Sequence, residues 1–164
     1  MATELPGMER AADEPTTLRE MLDYYRVVMI RKAEGLTTAQ ATERSTPTGL
    51  TLFTLIRHLT DVERGWFRDF ADSDAPFLYC TDEDPDGDFH PGPDETVDDA
   101  LGAYRAEIAR SNAIIAAHSL DEEVSDRGRA VSLRWIMVHM IEETARHAGH
   151  ADILRELTDG GVDD

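Results

Sequence analysis

Apolar side chains recur at helical intervals in four stretches of the chain, with polar turn clusters between them. In the first, Leu18, Met21, Leu22, Tyr25, Val28 and Met29 follow a helical period. Thr17 with Glu20 three residues on reads as a capping box, and Gly35 as the stop. Thr37–Gln40 reads as a short capped turn, and 45–49 as a turn cluster. The second stretch runs from about Thr51 to Phe70, with Leu52, Leu55, Ile56, Leu59, Val62 and Trp66 as its stripe. His58 falls on or beside that stripe. The third, from about Thr96 to Ala117, carries Val97, Leu101, Tyr104, Ile108 and Ile115. Asp98 and Asp99 lie in its first turn, where the helix dipole favours anions. The fourth begins near Ser132 and ends before Gly160-Gly161.

Between the second and third stretches, Ala71 to Pro93 is acidic, holds four prolines and lacks periodicity. Phe77, Leu78, Tyr79 and Phe89 are apolar islands in it, so part of it is expected to pack down as a cover. Ser119 to Ala130 reads as a polar connection broken at Gly128, and no segment carries a convincing strand signal. Four amphipathic helices with one long connection read as an all-α, four-helix bundle. The expected organisation is a flexible segment over residues 1–15 and a single domain over 16–160.

The formal charge of −18 argues against nucleic acid or an anionic membrane as partner, since both depend on Lys and Arg. No apolar run reaches the length of a membrane span. The first residues lack the basic start and apolar stretch of a signal peptide, and Cys80 is the single cysteine. Both point to a reducing cytoplasm. The run Asp82–Asp88 imitates the start of a calcium-binding loop, but its twelfth position is Pro93 rather than an acid, so calcium is set aside.

The fourth helix changes the picture. His139, Glu143, His147 and His150 fall within an arc of about 80° on it, on the stripe shared with Ile136, Met140 and Leu154. A buried carboxylate beside imidazoles needs partners, and a divalent metal would satisfy them together. Glu143 and His147, four residues apart, meet on one face. A third ligand must come from another helix, and His58 is the best candidate. Two histidines and a glutamate form a common catalytic zinc set with an open position; nickel or iron suits the same donors. From spacing alone His139 or His150 remains an alternative to any one of the three.

Two blocks resemble the DinB-like superfamily of metal-dependent hydrolases and thiol transferases. One is Pro47-Thr48-Gly49-Leu50-Thr51-Leu52 leading into 58–67, HLTDVERGWF. The other is 139–143, HMIEE, through 146–156, RHAGHADILRE. The resemblance implies an up-down-down-up four-helix bundle with a metal at one end of its core. Many members use three histidines. Here the first residue of the last-helix pair is Glu143, which is similar to the branch of the mycothiol-dependent maleylpyruvate isomerase N-terminal domain. Carried over, the ligands are His58, Glu143 and His147. The implied activity is transfer of a low-molecular-weight thiol, mycothiol-type, to a small electrophile through a metal-activated thiolate.

A three-ligand metal can stabilise a thiolate or activate water. Glu63, one turn beyond His58, is a candidate to orient a ligand or accept a proton, or else an exposed helix carboxylate. His139 and His150 are candidates to hydrogen-bond the ligands. Arg57, Arg134 and Arg146 are expected in surface ion pairs rather than on an anionic substrate. Cys80 is expected to be packed. The rival reading is a non-catalytic metal- or ligand-binding helical bundle with a stress-response role. A homodimer is expected by analogy only.

Overall fold

A computed structural model describes residues 3–71, 75–126 and 128–162. The protein is mainly helical: α1 (Glu14–Ala33), α2 (Thr38–Ala41), α3 (Leu52–Phe67), α4 (Val97–Ala117) and α5 (Leu133–Asp159). A two-stranded antiparallel sheet, β1 (Glu123–Asp126) and β2 (Arg129–Ser132), precedes α5. No helix is long and apolar enough to cross a membrane.

Side chains that satisfy orphan backbone groups set most helix boundaries. Thr37, Thr51 and Thr96 each close a capping box, and Ser132 accepts from the Trp135 N–H to start α5. Gly35 and Gly160 end α1 and α5 with φ of 79° and 74°, a conformation that penalises any Cβ. α1 starts three residues before the expected Thr17. Asp13 caps it by accepting from the Thr16 N–H at 3.0 Å, and Pro15 presets the first turn. In the preceding segment, the Thr3 N–H donates to Glu34 at 2.8 Å. α3 ends at Phe67, and Arg68–Ala71 tightens into a 3-10 turn instead of continuing to Phe70 as one helix.

The β-hairpin corrects the expectation of a plain polar connection. Its strands are four residues each, with one apolar partner pair, Val124 opposite Val131. Those two valines pack against a core cluster built on Leu22, Phe67, Leu133, Ile136, Met137 and Met140. A bare hairpin is marginal in water; this one is supported by that packing. Arg127, in its turn, lies outside the described residues, as do Asp72–Asp74 of the acidic connection.

A second apolar cluster centres on Met29, Phe53, Leu55, Leu59, Leu101, Tyr104 and Ala151. Along both α1 and α3, a charged residue stands between the two clusters. Arg26 follows Leu22 by one turn, and Glu63 follows Leu59 by one turn, so each occupies an apolar-stripe position. Both are fully buried and paired in two places: Nε to Oε1 at 2.6 Å and Nη2 to Oε2 at 2.7 Å. Arg26 Nη1 also donates to Asp23 and to Asn112 Oδ1, tying α1 to α4. Glu63 is therefore neither an exposed carboxylate nor free to take a proton at the candidate site. It is spent on the arginine of α1.

Candidate functional site

α3 and α5 bring three donors together. His58, Glu143 and His147 each offer one ligand atom within 4.8 Å of the other two. Glu143 Oε1 lies 3.0 Å from His147 Nε2 and 3.4 Å from His58 Nε2. The two imidazoles meet edge to face with ring centroids 4.9 Å apart. A tetrahedral ion with bonds of about 2.0–2.1 Å requires donor–donor edges of roughly 3.3 Å. The two Glu143 edges, 3.0 and 3.4 Å, are close to that value, and the three donor atoms all lie within 4.8 Å of one another. Zinc, nickel and iron all accept this donor set.

Electrostatics act differently on the three donors. Burial opposes ionisation of Glu143, but the His147 charge and the bonds to His58 and His147 outweigh it, so its pKa is lowered. Burial lowers the pKa of His147 and prevails over Glu143's opposing charge, which favours the neutral imidazole with a free lone pair. Burial also acts against a charged His58. There the hydrogen bond and charge of Asp88, followed by those of Glu143, prevail and the pKa is raised.

Asp88 is the functional neighbour that the sequence did not disclose. Its Oδ2 lies 2.7 Å from His58 Nδ1, so the imidazole donates through Nδ1 and turns Nε2 toward Glu143. Phe89 packs on the other side of the His58 ring, centroids 5.4 Å apart. Of the apolar islands of the acidic connection, Tyr79 and Phe89 are half-buried in a cover bolted to α3, while Phe77 and Leu78 stay exposed. Arg57 Nε donates to the Asp88 carbonyl at 3.0 Å and Nη2 to the Gly87 carbonyl at 2.7 Å. The same guanidinium pairs with Glu95 and lies 3.8 Å above the Tyr79 ring. Asp61 accepts from the N–H groups of Leu78, Tyr79 and Cys80 at 2.7–3.0 Å. At Gly87 a Cβ would stand 2.2 Å from the Tyr79 carbonyl oxygen, so only glycine lets the two strands of the connection approach.

The other candidates fall in different places. His150 lies beside His147, Nδ1 to Nδ1 at 3.4 Å, which leaves it positioned to touch a ligand. His139 stacks on Trp135 at 5.1 Å and meets Trp66 edge to face at 4.6 Å, and its carboxylate neighbour is Glu142 at 3.8 Å. Arg134 pairs with Glu14 and Asp121 as a surface ion pair, and Arg146 reaches Glu143 at 3.6 Å. Arg57 is buried rather than at the surface. Cys80 lines a cavity beside His58. Burial and the Asp88 charge push its thiol up to about 11, so it is a poor nucleophile at neutral pH.

A helical chain in which two imidazoles and a carboxylate converge from two helices is of the DinB-like kind that the two sequence blocks indicated. The chain belongs to the mycothiol-S-transferase family, whose sequence pattern matches residues 17–160. No curated protein matches it. It is similar in fold to the crystal structure of the conserved protein of locus from Enterococcus faecalis. The TM-score is 0.62 at 17% identity, covering 92% of this chain and 100% of that one.

Proposed function

We propose that this chain is a metal-dependent thiol S-transferase. In this reading, residues 16–160 form one up-down-down-up four-helix domain that works in the cytoplasm. His58, Glu143 and His147 hold a divalent ion, zinc first among the candidates, and the cosubstrate is mycothiol. The electrophile is a small molecule. The observation that carries this reading is the meeting of three donor atoms within 4.8 Å from two distant segments, in a chain of the mycothiol-S-transferase family.

When bound, the ion would lower the pKa of a coordinated thiol so that thiolate is available near neutral pH. The chain's own groups prepare for that. Asp88 holds the His58 proton at Nδ1 and leaves the Nε2 lone pair toward Glu143. Burial holds the His147 pKa down, and the neighbouring imidazoles hold the Glu143 pKa down. Phe89 and Trp66 line the adjoining cavity beside His58.

The test is paired. Tag-free protein should carry about one divalent ion per chain by elemental analysis. It should also consume mycothiol in the presence of a neutral alkylating electrophile, with activity lost on chelation and restored by zinc. Metal without thiol consumption would leave the rival reading, a binding bundle without turnover. No metal under any loading condition would sink both.

Asp88→Asn should retain the fold but bind zinc about 10–100-fold more weakly at neutral pH, as loss of an outer carboxylate partner does. Its pH dependence has a definite sign. Protons compete with metal at His58, and the raised pKa makes that competition begin at higher pH than for an ordinary imidazole. Removing the Asp88 charge should lower this pKa, so the decline of zinc affinity with acid should begin at lower pH in the variant, starting from its weaker neutral-pH value. Competition titration with a chromophoric chelator between pH 5 and 8, roughly the range in which imidazole titrates, reads both effects. An unchanged affinity and profile would contradict the assignment.

A further inference from the structure

The cavity that opens beside His58 has a volume of about 670 Å³ and follows α3 from His58 to Asp69, about three helical turns, as far as the hairpin. One part of its wall is apolar, built by Val62, Trp66, Phe77 and Phe89. The rest is strongly anionic. Asp61, Asp69, Asp86, Asp88 and Asp126 all line it, and among the described lining residues Arg68 is the one cation. Arg68 sets its guanidinium over the Phe77 ring at 4.6 Å, so a single arginine charge stands against five carboxylates in the lining. Asp61 and Asp88 are engaged by backbone N–H groups and by His58. Asp69 and Asp86 are exposed, with no ion-pair partner among the described residues. A dication held by the triad would have its charge offset by Glu143 and Asp88, leaving Asp69 and Asp86 outside that balance.

A trough lined mostly by one sign of charge concentrates ligands of the opposite sign and disfavours those of the same sign. We propose that the cavity selects the electrophile by charge: an apolar or aromatic body that is neutral or cationic is accepted, and an anionic one is rejected. The inference rests on the transferase reading for the word electrophile, but the selectivity belongs to the cavity itself.

Three unreactive probes of one shape test it: benzyltrimethylammonium, benzyl alcohol and benzoate. Binding to the zinc-loaded protein is read from tryptophan fluorescence, Trp66 being in the wall. The expected order places benzoate last, weaker than the cation by about tenfold or more at low salt. The gap should narrow at high ionic strength and in Asp69→Asn/Asp86→Asn, whose positions are exposed and leave the fold intact. In parallel, 4-substituted benzyl bromides bearing carboxylate, methyl or trimethylammonium groups are offered with mycothiol. Benzoate binding as tight as the cation would overturn the proposal. So would a gap unchanged in the double variant, or binding of none of the probes at millimolar concentration. Selective binding without thiol consumption would sink the transferase reading and leave the selectivity standing. Consumption with the carboxylate bromide preferred would do the reverse.

Discussion

Glu143→Ala is expected to empty the site without unfolding the protein. Glu143 is the hub of the triad: its Oε1 reaches both imidazoles, at 3.0 and 3.4 Å. Two histidines remaining on separate helices form a weak pair, so zinc affinity should fall by at least about 100-fold, beyond the loss of an outer-shell partner. The carboxylate's other contact is Arg146 at 3.6 Å, an exposed cation that water can satisfy. Metal-free stability should therefore change by no more than about 1 kcal/mol. The large effect is on ligand-linked stability. Zinc at about 100–1,000 times its Kd adds about 3–4 kcal/mol to the native state, which for a chain of this length raises the Tm by about 10 °C. Wild-type protein should show that shift, and the variant should lose most of it. A variant that retains one equivalent of zinc and the full shift would remove Glu143 from the ligand set.

Glu63→Ala should do the opposite, leaving the donor triad in place and weakening the scaffold. The substitution strands Arg26, which is about 1% exposed and has its guanidinium tied to both Glu63 oxygens. Burial opposes the arginine's charge, and Glu63 more than offsets it, which raises the arginine pKa. Breaking a buried ion pair by deleting one member costs about 3–5 kcal/mol, so the Tm should drop by about 10 °C. The double variant Arg26→Met/Glu63→Leu should recover most of the loss, because an apolar pair needs no solvation. Denaturant melts of the metal-free proteins measure both. A loss below about 1 kcal/mol in Glu63→Ala would mean that Asp23 already neutralises Arg26.

These two glutamates show where the sequence was readable. Glu143 and His147 lie four residues apart on one helix, so their meeting is a local fact. His58 was reached through its place beside an apolar stripe, and the family resemblance named the same three residues. Helix ends were legible wherever a local cap sets them, as at Thr96, Ser132 and Gly160. The start of α1 was misplaced because Asp13 and Pro15 form a stop-and-start signal just upstream of the capping box at Thr17. Glu63 had a signal that went unread: it and Arg26 are opposite charges at apolar-stripe positions of two helices. The β-hairpin offered one apolar residue per strand, too little for any period to register. Asp88 could not have been found by periodicity. Its position depends on the path of an irregular connection, which Arg57 and Asp61 determine from α3.

That anchoring has a mechanical consequence. Arg57, His58 and Asp61 occupy a single turn of α3, so the imidazole, its aspartate partner and the peptide that carries that aspartate form one rigid jaw. Glu143 and His147 form the opposing jaw on α5. Any breathing of the protein that separates the two helices changes the gap between jaws while leaving the aim of the His58 ring untouched. Capturing an ion is then a matter of closing a distance, with the orientational entropy of that ring already surrendered during folding.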